Sequence, residues 1–277
     1  MKNLILFFFL FTGNIALSQE LYINTEPASL IPKGSKVIRL TNSNIFLDGV
    51  NSLGSILGNA KLLIPSVSYG ISKRLMISAS IQFSNNPGTD DYPNFSFTGF
   101  KIYSKQRILS SDRKKFHTRL SSFIKYAYHE NKFMENNLDL EIQNSGMEFG
   151  LVGTQLINKL AISVTSGFTR IYNIDDKRAV GESINLNLFK NALSLGYLVL
   201  PRKYKSYKQT NFNIYLEYIT NTILNNNFPD RYNKFSSIIA PGIQFILLSR
   251  SRIDFSYKIR KSESPEEFLI KLTYIIY

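Results

Sequence analysis

The chain contains no cysteine. That excludes a disulfide framework, a thiolate metal site and an acylated cysteine anchor. Histidine is nearly absent too, with only His117 and His129. Beyond the first eighteen residues, no stretch approaches the length of apolar chain that a spanning helix needs, so a helical membrane protein is not expected. There is no Gly-x-Ser-x-Gly elbow, no Walker loop, no Rossmann glycine set and no His-x-x-x-His pair. Ser121 and Ser122 lie close to His117 in sequence, but nucleophilic catalysis needs a base within reach of the nucleophile and a third group to orient it. The expectation is a protein that is not an enzyme and uses no cofactor or metal.

What is present begins at the amino terminus. Lys2 is followed by the short apolar run Leu4–Phe11 and by Ala16-Leu17-Ser18. Charge, apolar stretch and small residues before a cut are the parts of a secretory signal peptide. Cleavage is expected after Ser18, leaving a mature chain from Gln19. An exported chain of this length with no disulfides needs another source of stability, and a large sheet closed on itself is one.

The dominant period is two, the period at which side chains alternate between the faces of a strand. In Arg252–Arg260, Ile253, Phe255, Tyr257 and Ile259 share one face, while Asp254, Ser256 and Lys258 share the other. In Asn211–Ile219 the apolar face is Phe212, Ile214, Leu216 and Tyr218. Leu75–Phe83 and Phe116–Tyr128 alternate in the same way. About twelve strands are predicted, near 35–47, 62–70, 75–83, 94–109, 115–128, 144–156, 160–172, 183–200, 211–222, 235–248, 251–260 and 267–277. Two features interrupt the pattern. The apolar phase of 183–200 flips near Lys190-Asn191, which a bulge or a tight hairpin would explain. Pro65 and Pro241 fall inside strands, where the missing N–H predicts a bulge or a local break.

The connections alternate in length. Ile71–Arg74, Ser110–Lys114, Ile157–Lys159 and Ser249–Arg250 are short, and Pro201–Thr210 is a little longer. Asp48–Lys61, Ser84–Pro93, His129–Gln143, Asn173–Glu182 and Thr222–Lys234 are longer and rich in Asn, Asp, Gly and Pro. Short turns at one end and long loops at the other mark an outer-membrane barrel. Strands can cross a bilayer only as a closed barrel, because hydrocarbon offers no partner for an open edge. The predicted fold is all-β: a closed antiparallel transmembrane barrel of about twelve strands over 35–277, preceded by an N-terminal periplasmic segment, 19–34. That segment is open to three readings: a disordered lead, an extension or a small plug. An even strand count puts both ends of the chain on the short-turn, periplasmic side.

The charges divide into two groups. Arg39, Arg119, Lys125, Glu148, Glu217, Asp254, Lys258 and Lys271 fall on the polar faces and are the expected lumen-lining residues. They lean positive, which in an open pore favours anions; if they pair instead, they fill a narrow interior. The short turns carry Lys73, Arg74, Arg113, Lys114, Lys115, Lys159, Arg202, Lys203, Lys205, Lys208, Arg250 and Arg252, opposed only by Asp112. Such a rim suits anionic phospholipid heads, a cell-wall polymer or a periplasmic partner. It also serves as a solvated guard on strand edges. Nucleic acid is not an expected partner, because these residues sit in periplasmic turns.

Four segments carry a family resemblance: Thr25-Glu26-Pro27-Ala28-Ser29; Leu40-Thr41-Asn42; Leu200-Pro201-Arg202-Lys203-Tyr204-Lys205-Ser206-Tyr207-Lys208-Gln209-Thr210-Asn211; and Ala240-Pro241-Gly242-Ile243-Gln244-Phe245 through Arg252-Ile253-Asp254. They resemble a Bacteroidetes-type family of outer-membrane β-barrel proteins that has no firmly assigned activity. The resemblance implies an outer-membrane barrel and brings no catalytic residues. The favoured expectation is a porin-like, narrow passive channel for small solutes, with anions among the candidates. The alternative is a closed structural or interaction barrel whose surface loops bind a ligand, and a lipid-active enzyme comes third.

Overall fold

The computed structural model describes residues 22–46, 59–85, 95–130, 138–141, 143–175, 183–202, 209–228, 232–261 and 265–277. The expected signal peptide lies outside them. Twelve strands run β1 (Lys36–Ile45), β2 (Ala60–Gly70), β3 (Leu75–Ser84), β4 (Ser96–Asp112), β5 (Phe116–His129), β6 (Gly146–Ile157), β7 (Leu160–Asp175), β8 (Ser183–Leu200), β9 (Asn211–Ile223), β10 (Phe235–Leu247), β11 (Ser251–Arg260) and β12 (Glu267–Ile276). Each pairs antiparallel with its neighbours in sequence, and β1 closes on β12 from Lys36↔Ile276 to Ile45↔Glu267. No helix occurs among the described residues.

The wall is inside-out relative to a water-soluble β-protein. Every strand presents large apolar side chains outward, among them Ile38, Val67, Ile81, Ile102, Ile124, Phe149, Val164, Leu195, Leu216, Ile239, Ile259 and Leu272, all substantially exposed. The intervening residues point inward and are mostly polar, as Glu148, Ser163, Ser194, Glu217, Gln244 and Asp254 show. A barrel with a greasy exterior and an enclosed polar interior is matched to hydrocarbon, and closure leaves no unpaired edge.

The local features follow from residue chemistry. At Pro65 the ladder to β3 skips from Leu63↔Phe83 to Ser66↔Ser80. At Pro241 the ladder to β11 skips from Ile239↔Ile259 to Gly242↔Ser256. The register is unchanged across both gaps, so each proline makes a local break on one side rather than a bulge. Pairing on the other side is continuous. A bulge does occur in β4, where Ile108 is the extra residue between Arg107↔Ser121 and Leu109↔Leu120. The strand runs on to Asp112, three residues past the sequence expectation. The β10–β11 hairpin turns on Leu248 and Ser249 at φ 50° and 58°. Arg250 N–H closes it on the Leu247 carbonyl at 3.1 Å. Two positive φ values match the right-handed twist of the strands that the turn joins.

The phase flip expected near Lys190-Asn191 has a different origin. The β8 ladder is unbroken there, with Gly167↔Lys190 and Ser166↔Asn191 on one side and Lys190↔Asn221 and Asn191↔Thr220 on the other. Neither a bulge nor a hairpin exists at that point, and the described residues form twelve strands. Leu186 and Leu188 simply face inward and are fully buried. They cover Leu138 and Leu140 of the β5–β6 loop, together with Ala127, Ile171, Ile223 and Tyr232.

Candidate functional site: the barrel lumen

Two segments that are not strands enter the barrel. The first is the stretch before β1. Gly34 N–H bonds the Gly70 carbonyl at 2.8 Å, and Gly70 N–H bonds the Ser35 carbonyl at 3.1 Å, beside the short β2–β3 turn. Gly34 stands at φ 83°, which favours glycine. A Cβ on Gly70 would lie 2.1 Å from the Pro32 carbonyl oxygen, so only glycine lets the segment pass so close. From there the chain crosses the barrel. Ala28, Leu30 and Ile31 pack with Val37, Met76, Tyr103, Phe123, Val152 and Ile275 of the wall. Ser121 Oγ donates to the Ala28 carbonyl at 2.7 Å, and Ala28 N–H donates to Thr154 Oγ1 at 2.8 Å. At the far wall Tyr22 donates its hydroxyl to the Ala161 carbonyl at 3.0 Å.

Wall charges hold this segment. Glu217 of β9 is fully buried and accepts from Thr25 N–H and Thr25 Oγ1, each at 2.7 Å. It also accepts from Asn24 Nδ2 at 2.7 Å and Asn24 N–H at 3.2 Å. Lys271 donates to the Tyr22 carbonyl at 3.2 Å. Lys105 of β4, fully buried, pairs with Glu26 at 2.9 Å and bonds the Pro27 carbonyl. Carboxylates and ammoniums that would be costly alone in this interior are thus satisfied by segment backbone and side chains.

The second entrant is the β5–β6 loop near the opposite mouth. Leu138 and Leu140 anchor it in the apolar cluster described above. Glu141 then reaches the lumen and pairs with Lys101 of β4 and with Lys125 of β5, the latter at 2.5 Å. Lys125 also meets Glu148 of β6 at 3.3 Å, and Lys190 of β8 lies 3.6 Å from the same carboxylate. Burial raises the Glu141 pKa, but the ammoniums of Lys101, Lys125 and Lys190 outweigh it and hold the carboxyl well below its ordinary range. A further network joins Lys258 and Arg260 to Glu267 at 2.9 and 3.0 Å, and Ser43 Oγ donates to the same carboxylate at 2.6 Å.

Between the two entrants lies a cavity of about 180 Å³. Arg39, Lys101, Lys125, Lys190, Lys258 and Lys271 line it, against Glu26, Glu141, Glu148 and Glu267. Five of the eight residues expected in the lumen therefore meet at one cavity: Arg39, Lys125, Glu148, Lys258 and Lys271. Glu217 faces the N-terminal segment. Asp254 is buried in the wall and accepts from Gln244 Nε2 at 2.6 Å. Arg119 is half-buried toward the short-turn mouth and pairs with Asp112 at 3.1 Å.

The basic rim is exposed at Lys73, Arg74, Arg113, Lys114, Lys115, Arg202 and Arg250, while Lys159 donates to the Pro201 carbonyl at 2.8 Å. Lys203, Lys205 and Lys208 lie outside the described residues. Arg252 does not belong to the rim. It is the second residue of β11, on the same face as Asp254, so its side chain is buried inside the barrel. His117 pairs with Asp112 at 2.8 Å at the short-turn end, and the His129 ring meets the Leu140 carbonyl at 3.3 Å near the opposite end.

Several lumen residues escaped sequence reading. Lys101 and Lys105 were within reach, because simple alternation through β4 sets them opposite Ile102. Lys190 was obscured by the phase flip, and Glu267 by its place at the very start of β12. Glu141 gave no signal, and Glu26 was marked only as part of the resemblance segment Thr25–Ser29, since both lie in segments with no period.

No family model matches the chain, and no curated protein matches it. Solved structures do. An outer-membrane channel from Pseudomonas putida F1 aligns at TM-score 0.57 with 12% identity, over 92% of this chain and 99% of that one. The fold is that of an outer-membrane β-barrel. The NanC porin aligns at TM-score 0.54 with 10% identity, covering 86% of this chain and 98% of the porin. The KdgM porin aligns at TM-score 0.50 with 7% identity, over 87% and 99%. At such identities the likeness concerns architecture alone.

Proposed function

We propose that this chain is a narrow passive channel of the bacterial outer membrane, admitting small solutes and favouring anions. The carrying observation is the lumenal cavity, where six cationic side chains face four carboxylates inside a wall that is apolar outside. An excess of fixed positive charge in a low-dielectric passage concentrates anions. The resemblance to Bacteroidetes-type barrels and the architecture shared with two porins and a channel support this reading. In it, residues 1–18 are the export leader, residues 19–34 and the barrel 35–277 form the mature protein, and the short basic turns face the periplasm. There the rim meets anionic phospholipid heads, with a cell-wall polymer or periplasmic protein as further partners.

A second reading has a specific observation behind it. Packed segments occupy the lumen on both sides of the cavity, which also suits a closed barrel acting through its surface loops. Planar bilayers separate the two. The channel reading expects discrete conductance steps, with a reversal potential in a KCl gradient on the anion side. It also expects larger steps when residues 22–33 are deleted from the mature chain. A silent membrane for both proteins means a sealed barrel.

A further inference from the structure

We propose that Lys101, Lys125 and Lys190 form a carboxylate-binding subsite in the lumen, and that Glu141 of the β5–β6 loop is its tethered resident. The proposal deepens the channel reading and rests on it only for the route by which a solute arrives.

The argument starts from how Glu141 is held. Its Oε1 faces Lys125 and its Oε2 faces Lys101, so each oxygen of one planar group takes a separate ammonium. Three wall strands, β4, β5 and β8, supply the lysines. A spherical halide cannot reproduce that two-point contact, whereas another carboxylate can. The wall carries one carboxylate of its own here, Glu148, and its side chain is only 3% exposed. Glu148 therefore stays in place and offsets part of the lysine charge. Glu141 is different. Its side chain is 28% exposed and Lys101 is 24% exposed, and both line the open cavity.

The loop backbone is anchored just before Glu141, and the Glu141 side chain extends from that anchor into the cavity. Leu138 and Leu140 are buried in an apolar cluster with Leu186 and Leu188. Exchange of Glu141 for an incoming carboxylate needs only rotation of one side chain. With Glu141 turned away, three ammoniums face one buried carboxylate. The resident thus keeps the lysines neutralised when no solute is present and sets a threshold that a free carboxylate must exceed. A tethered group acts as an internal competitor at an effective concentration in the millimolar range.

Propionate, which has the chemistry of the glutamate side chain, is the direct probe. Folded full-length barrel in detergent micelles is titrated with propionate by calorimetry, with chloride at equal ionic strength as control. Glu141→Gln is expected to raise apparent propionate affinity about tenfold by removing the internal competitor. Glu141→Asp, with a shorter reach, is expected to fall between the two and serves if the Gln variant does not fold. Adding Lys101→Gln with Lys125→Gln is expected to abolish the gain. Equal affinity in wild type and both Glu141 variants, or equal binding of chloride, overturns the subsite. Propionate binding by a barrel that gives no conductance steps supports the subsite and sinks the channel reading. Steps without any gain in propionate affinity sink the subsite alone.

Discussion

The two segments inside the barrel are held by different balances of polar and apolar contact. The N-terminal stretch, Tyr22 to Ser35, is fixed largely by hydrogen bonds from its backbone and side chains to the wall, and buried Glu217 receives four of them. The β5–β6 loop is anchored by apolar contact through Leu138 and Leu140, joined by ion pairs from Asp139 to Arg260 and from Glu141 to the wall lysines. The difference bears on what each can do. A directional network spread over many strands holds one position and is lost as a unit. An apolar anchor holds the backbone, and the side chain beyond it takes its partners from the lumen wall.

That contrast can be broken most sharply at the anchor. Leu140→Ala removes a fully buried side chain from the loop cluster and is expected to destabilise loop docking by about 2–5 kcal/mol, the usual range for a core leucine. Hydrogen exchange over 138–145 should rise strongly while exchange over 22–35 stays as in the wild type. Equal loosening of both segments would mean that they are one unit. Glu217→Gln is the converse test. It turns charge-assisted bonds into neutral ones, and a cost of about 1.5–3 kcal/mol is expected for the N-terminal segment alone, read by its proteolytic release. The smallest effect concerns pH. Because Lys101, Lys125 and Lys190 hold Glu141 below its ordinary pKa, its ion pairs contribute fully above the unfolded value of about 4.3 and are lost only as pH falls through the lower folded value. Loop protection factors, with the intrinsic pH dependence of amide exchange divided out, are expected to be flat between about pH 5 and 7 and to fall only at stronger acidity, below the unfolded carboxylate range. A loss of protection near neutrality would assign the loop to some other group.

The wall was legible residue by residue. Ile214, Leu216 and Tyr218 against Asn213 and Glu217 announce a two-faced strand, and the same reading recovers nearly every boundary. It went astray at Leu186 and Leu188, which are apolar and yet face inward. Alternation shows that a strand has two faces, but a leucine looks the same whether it meets lipid or a loop folded into the lumen. Arg252 misled for a related reason: proximity to a turn placed it on the rim, and its strand parity turned it inside. Periodicity could not have found Glu26 or Glu141, since no period marks the segments that carry them.

The sequence alone determined the strands, their order, their short and long connections, and which residues share a face. These depend on neighbours two positions apart and on turn chemistry, both of which are local. Only the tertiary structure decided which aperiodic segments enter the barrel and which wall charges they satisfy. Lys105 and Glu26 are 79 residues apart, and Thr25 and Glu217 are 192 apart. Contacts at such separations exist only once the ring of strands has closed and enclosed a volume to be filled.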